Sequence, residues 1–163
     1  LYSKILKNIP LLDVICLVIW FVLRVVYGAS IINVEVSNWL YLTIISFSFY
    51  LALGKRRNEL VAGTNTRDVL KFYNKDFLDK NMYMFLTLMI VFYSMWCVDS
   101  SNIAKFGNNL IFTVPILMLI AMKYSLDIEG DSDGDPVEVL LSDKILMLLA
   151  LIFIIAIGVI VLI

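Results

Sequence analysis

The sequence predicts an all-α, polytopic membrane bundle with five transmembrane helices. Of its 163 residues, 61% are hydrophobic and only 17% are charged. Mean hydropathy is +0.92, whereas a soluble domain is usually about 45–50% apolar. The charges are gathered into a few stretches, leaving long apolar runs between them. Irregular backbone is not viable in lipid, so each run is expected to be helical.

Five runs stand out, roughly 11–27, 39–54, 83–98, 110–122 and 145–163. The last, ILMLLALIFIIAIGVIVLI, has nineteen uncharged residues, close to the ~20 that a bilayer core requires. In the first run, Asp13 and Arg24 are eleven residues apart, which puts them on one helical face about 16 Å apart along the axis. Asp13 either complements the helix N-terminal dipole after Pro10, or shares a polar interior with Arg24, which otherwise snorkels outward. Pro115, inside the fourth run, is expected to kink its helix.

Five spans give six flanks alternating between two sides. Lys4, Lys7, Lys55, Arg56, Arg57, Arg67, Lys71, Lys75, Lys80, Lys123 and Lys144 fall on one side, and Lys105 alone on the other. The positive-inside rule assigns the basic side to the cytoplasm, with Trp39 and Trp96 at the outer interface. The whole chain, 1–163, is read as a single integral-membrane domain. It opens at Leu1 without an initiator Met and is expected to be truncated at its N-terminus.

Two cytoplasmic segments follow from this topology. Segment 55–82 is a cap: after Thr66 as N-cap, RDVLKFYNKDFLDK sets Val69, Leu70, Tyr73, Phe77 and Leu78 on one helical face. Segment 123–144 is an acidic loop with seven carboxylates in residues 127–143. Within it, Asp135–Pro136–Val137–Glu138 is a helix start, with Asp at N-cap and Pro at N1. It does not spell an EF-hand, because Gly134 and Ser142 stand where the loop needs other residues.

Histidine is absent, which excludes imidazole bases and His-based metal sites. Cys16 and Cys97 lie in separate apolar runs and read as small hydrophobes. The stretch GKRRNEL at the end of the second run holds the strongest candidate site. Lys55 and Glu59 share a face, with Arg56 beside them, and Lys7 lies on the same side of the membrane. These cations either mark the end of a helix or clamp phosphate oxygens, Arg by its fork and Lys as a point charge.

Several stretches in order carry a family resemblance: LYSKILKNIPLLD, FVLRVVYGA, FYLALGKRRNEL, RDVLKFYNKDFLD and KYSL followed by DPVEVLLSDK. Together they resemble the UbiA-type intramembrane prenyltransferase superfamily, and most closely its polyprenyl-phosphate (decaprenyl-phosphate) phosphoribosyltransferase branch. The resemblance implies the C-terminal part of a nine-helix fold whose central cavity opens to the cytoplasm and to lipid. It implies transfer of 5-phosphoribose from phosphoribosyl pyrophosphate to a polyprenyl phosphate, at an inner (plasma) membrane of bacterial type and without nucleic acid. By the same likeness, Lys55, Arg56 and Glu59 bind substrate, with Lys7 and Tyr2 flanking the pocket. Asp143 contacts substrate or caps a helix. Mg²⁺ is implied with the family's first Asp-rich motif, which is absent from this chain, so neither metal ligands nor catalytic residues are assigned here, and the fragment alone is expected to be inactive. Aromatic prenyltransferases carry a second Asp-rich motif where this chain has Lys55, Arg56 and Glu59. That replacement argues against an aromatic prenyltransferase, which stands as the alternative within the superfamily, with a transporter or channel segment the alternative outside it.

Overall fold

The computed structural model describes residues 9–63, 68–130 and 135–162. They form an all-helical protein, with no strand among the described residues. In chain order the helices are α1 (Leu12–Ile31), α2 (Asn38–Val61), α3 (Lys75–Cys97), α4 (Ser100–Phe106), α5 (Val114–Glu129), α6 (Pro136–Ser142) and α7 (Lys144–Leu162). Short 3-10 segments at Asp68–Phe72 and Gly107–Thr113 join them.

Among the described residues, three stretches are long and apolar enough to cross a bilayer: α1, the run Ser100–Glu129, and α7. Helices α2 and α3 have 24 and 23 residues. Each joins an apolar stretch to charged turns, at Lys55–Glu59 in α2 and Lys75–Lys80 in α3, which dilutes its hydropathy. The expected five runs therefore appear as helices, three of which meet the demands of a span on their own. Only Leu146 of α7 is buried, so most of that helix presents bare apolar side chains, as lipid or another helix requires.

The antiparallel pair α2 and α3 is the centre of the bundle, with α1 against α2 and α7 against α5. Phe49 and Phe85 stack across the pair with centroids 4.4 Å apart. Gly54 lets α5 approach closely, because a Cβ there would meet Ile128 Cδ1 at 3.2 Å. Trp39 in the first turn of α2 and Trp96 in the last turn of α3 lie at the same end of the pair. The basic turns of α2 and α3 lie at the other end.

Two local expectations are corrected. The amphipathic helix expected after Thr66 (itself outside the described residues) is a 3-10 turn followed by the start of α3. Asn74 is extended, and its side chain accepts the Phe77 N–H at 2.7 Å, so it caps α3 rather than continuing a helix. The apolar face survives the break: Val69, Leu70, Tyr73 and Leu78 are buried, while Phe77 is exposed. Pro115 stands in the first turn of α5, where its missing N–H costs nothing, so it starts a helix instead of kinking one.

Replacing Asn74 with Ala removes this cap and should lower stability by about 1 kcal/mol, whereas Asn74→Asp should retain it. Thermal unfolding of the detergent-solubilised protein checks the difference.

Candidate functional site

Three consecutive cations of α2 have three different destinations, because successive residues of a helix diverge by about 100°. Arg56 turns inward and is fully buried. Its Nε donates to Asp13 Oδ2 at 2.6 Å and its Nη1 to Glu59 Oε2 at 2.8 Å. Asp13, also fully buried, takes a second hydrogen bond from the Tyr73 hydroxyl at 2.7 Å. That hydroxyl in turn accepts the Leu11 N–H at 2.7 Å. Arg57 turns toward α3 and α5. Its Nε donates to Asp79 Oδ1 at 2.8 Å and its Nη1 to the Ile128 carbonyl at 3.2 Å.

Lys55 faces a chamber of about 790 Å³. The wall is built from α1 (Leu17, Trp20, Phe21, Arg24), α2 (Phe47, Tyr50, Leu51), α5 (Leu117, Ile120, Tyr124), α6 (Pro136, Val137, Leu140) and neighbouring residues. Nearly all of it is apolar. The exceptions include Lys55 and Asp135, paired at 3.2 Å, the tyrosines Tyr50 and Tyr124, and Arg24 farther along α1. A long apolar hollow with an ammonium group on its wall suits a ligand with a greasy tail and an anionic head.

Asp135 serves two helices. Its Oδ1 accepts the Val137 N–H at 3.0 Å, capping α6, and its Oδ2 accepts from Lys55. That backbone hydrogen bond, and then Lys55, hold its carboxyl below the usual range. Asp143 has the same arrangement one helix later. It accepts from Lys123 at 2.6 Å and from the Leu146 N–H at 2.8 Å, and these in that order lower its pKa. A carboxyl with a depressed pKa contributes stability above its unfolded pKa and loses it only as pH falls through the folded value. Both pairs are therefore intact at neutral pH.

Of the residues singled out in the sequence, Lys55 lies on the chamber, while Arg56 and Glu59 form a buried pair behind it. Glu59 pairs with Arg56 at i, i+3 rather than with Lys55, and its side chain is 14% exposed. The open clamp expected of Lys55 and Arg56 together is corrected: Arg56 is spent on carboxylates, with only Nη2 lacking a hydrogen-bond partner. Asp143 is a helix cap and the partner of Lys123, and is not among the residues lining the chamber. Lys7 and Tyr2 lie outside the described residues.

Asp13 and Arg24 do not form a shared polar stripe, since Asp13 meets Arg56 while Arg24 is exposed on the chamber side of α1. This removes the observation that favoured a transporter. Sequence reading missed the Asp13–Arg56 pair, which joins residues 43 apart, and the roles of Asp135 and Tyr124. The cap motif DPVE pointed to Asp135, but only as a helix start.

Among the described residues, no group of three or more His, Cys, Asp or Glu side chains could hold a metal ion. The nearby carboxylates of Asp13, Asp79, Asp135 and Asp143 are each engaged by a cation. These residues do not fit a Mg²⁺ site.

No protein-family profile matches the chain. Curated relatives do. The chain is 28% identical over 169 residues to the decaprenyl-phosphate phosphoribosyltransferase of Mycolicibacterium smegmatis, covering 94% of this chain and 52% of that protein. It is 30% identical over 151 residues to the protein of that name from Corynebacterium glutamicum, covering 89% and 45%. The corresponding Mycobacterium tuberculosis protein is 27% identical over 145 residues, covering 85% and 46%. The chain thus spans about half the length of the curated relatives it matches, and these similarities bear out the resemblance to the phosphoribosyltransferase branch of the UbiA-type superfamily.

The geometry separates two adjacent cations by experiment. Arg56→Ala leaves the Asp13 carboxylate buried and unpaired, and should cost about 3–5 kcal/mol. Lys55→Ala breaks a half-exposed pair and should cost less than about 1 kcal/mol. Thermal unfolding of both variants in the same detergent checks this ordering.

Proposed function

We propose that this chain forms about half of a UbiA-type membrane transferase that moves 5-phosphoribose from phosphoribosyl pyrophosphate to a polyprenyl phosphate. The observation that carries this reading is the apolar chamber with Lys55 on its wall, in a chain similar along most of its length to decaprenyl-phosphate phosphoribosyltransferases. The tail of a polyprenyl phosphate occupies the apolar wall. Its phosphate oxygen attacks the anomeric carbon of the ribose, a new C–O bond forms, and the bond to pyrophosphate breaks. Both reactants are anionic, so a fixed ammonium group offsets their repulsion and favours charge building on the leaving group.

Lys55 is the residue that meets phosphate directly. Arg56 positions α2 and Glu59 from behind the chamber. Glu59 keeps Arg56 oriented and accepts from ribose hydroxyls. Tyr2 and Lys7 flank the same pocket, and Asp143 acts through Lys123 and the start of α7. Mg²⁺ would neutralise the pyrophosphate when bound, on carboxylates outside this chain. The basic end of the bundle faces the cytoplasm, where the sugar diphosphate is found, and the protein sits in an inner membrane.

Two outcomes test this reading. Membranes containing the chain alone should transfer no labelled phosphoribose, and activity should appear on co-expression with the part of the C. glutamicum relative that it does not cover. In that reconstituted protein Lys55→Ala should reduce transfer by about a hundredfold, with the protein still inserted; normal turnover would refute the assignment. Orientation is checked separately with a membrane-impermeant thiol reagent. Cysteine at position 71 should react only after permeabilisation, and cysteine at position 105 in intact spheroplasts.

A further inference from the structure

One hydroxyl of the chamber-lining residues has no partner. Tyr124 is 8% exposed and its side chain forms part of the wall, yet its hydroxyl is buried without a hydrogen bond. Its neighbour Tyr50, 5.7 Å away between ring centroids, is satisfied by Ser125 at 2.6 Å. A buried hydroxyl with no partner bears the full desolvation penalty, and phenylalanine at this position would avoid it. A tyrosine there points to an acceptor that arrives from outside the chain.

Lys55 and Asp135 lie on the same chamber. Their side chains are 38% and 44% exposed, so the pair is weak and exchangeable. Asp135 caps α6 with its other oxygen, so an anion can take the ammonium group from Oδ2 and leave the cap in place. A phosphate monoester has several acceptor oxygens and can receive Lys55 and a hydroxyl together. Apart from Tyr50 and Arg24, the rest of the wall is apolar, which selects a phosphate carried on a hydrocarbon tail over a free one.

We propose that Lys55 and Tyr124 together seat the phosphate of a polyprenyl phosphate, with Asp135 holding Lys55 until the lipid displaces it. This rests on the phosphoribosyltransferase reading above. Lys55 supplies charge. Tyr124, on the same chamber, supplies a neutral donor.

The test uses the full chain in nanodiscs of neutral phosphatidylcholine, with binding followed through tryptophan fluorescence, since Trp20 lines the chamber. Three ligands are titrated: a polyprenyl phosphate, the matching polyprenol, and inorganic pyrophosphate. Tyr124→Phe removes only an unpaired hydroxyl, so the melting temperature should hold or rise. Its affinity for the polyprenyl phosphate should fall about tenfold, and that for the polyprenol should not change. Asp135→Asn keeps an equally good helix cap but frees Lys55, and should bind the polyprenyl phosphate at least about threefold more tightly. Opposite shifts in two such variants cannot come from a shared loss of fold.

The proposal is overturned if Tyr124→Phe binds the lipid like the parent, if Asp135→Asn binds it more weakly, or if the parent prefers pyrophosphate to the lipid. Phosphate-selective lipid binding that depends on Tyr124, without phosphoribosyl transfer in the reconstituted protein, would uphold this seat and refute the reaction. Transfer with unaltered lipid binding in Tyr124→Phe would do the reverse.

Discussion

The arrangement of the charged end depends on one buried ion pair, Arg56 with Asp13. Both side chains are closed to solvent and 2.6 Å apart. Two charges taken out of water are costly, and their attraction offsets that cost only when geometry and hydrogen bonding are good. Here Asp13 also accepts from Tyr73 and Arg56 also donates to Glu59. The network therefore ties α1, α2 and the link between the 3-10 segment and α3 into one register. Sliding α1 by a turn would move Asp13 about 5 Å and leave its carboxylate buried without a cation, while Arg56 kept only Glu59, so the pair acts as a pin where apolar packing alone tolerates slippage.

That pin sets what the neighbours of Arg56 can do. With Arg56 turned inward, the residue before it points to the chamber and the residue after it to α3. Arg57 finds Asp79 and the Ile128 carbonyl, locking α2 to α3 and α5. Gly54 permits the close approach of Ile128 that this requires. Lys55 alone of the three is left beside the hollow, on a partner half exposed to solvent. The chemistry of the chamber is thus a consequence of burying its neighbour.

Much of this was legible in the sequence, for reasons tied to particular residues. The apolar runs, the basic side and the buried face of Val69, Leu70, Tyr73 and Leu78 follow from periodicity and composition, which are local. Asp135 as the cap of α6 follows from a four-residue motif, again local. Asn74 and Pro115 were misread because each suits both the inside of a run and its edge, and only packing decides between them. The sequence allows Asp13 to share a polar interior with Arg24 or to be a dipole partner, a role its place in the first turn of α1 permits. Its larger role depends on a residue in another helix, and no spacing rule within one helix can find that. Lys55 and Arg56 were grouped as one clamp because adjacent letters look like adjacent groups, although a helix separates them by about 100°.

The order of the cations is itself informative. The inner position faces two carboxylates, Asp13 and Glu59, and a planar fork answers both at once where a single ammonium group would have to choose. The chamber position faces one carboxylate, Asp135, in a half-exposed pair, and in the proposed seat a compact point charge on a flexible stem can pass from that oxygen to another without breaking a two-pronged contact. Reversing the two residues would keep the net charge and the basic flank while losing both functions. A lysine would be buried between two acids with a poor fit, and an arginine would grip Asp135 through a fork that a phosphate must then unseat. Arg at position 56 is therefore a structural requirement of the bundle, while Lys55 is the cation that lines the chamber.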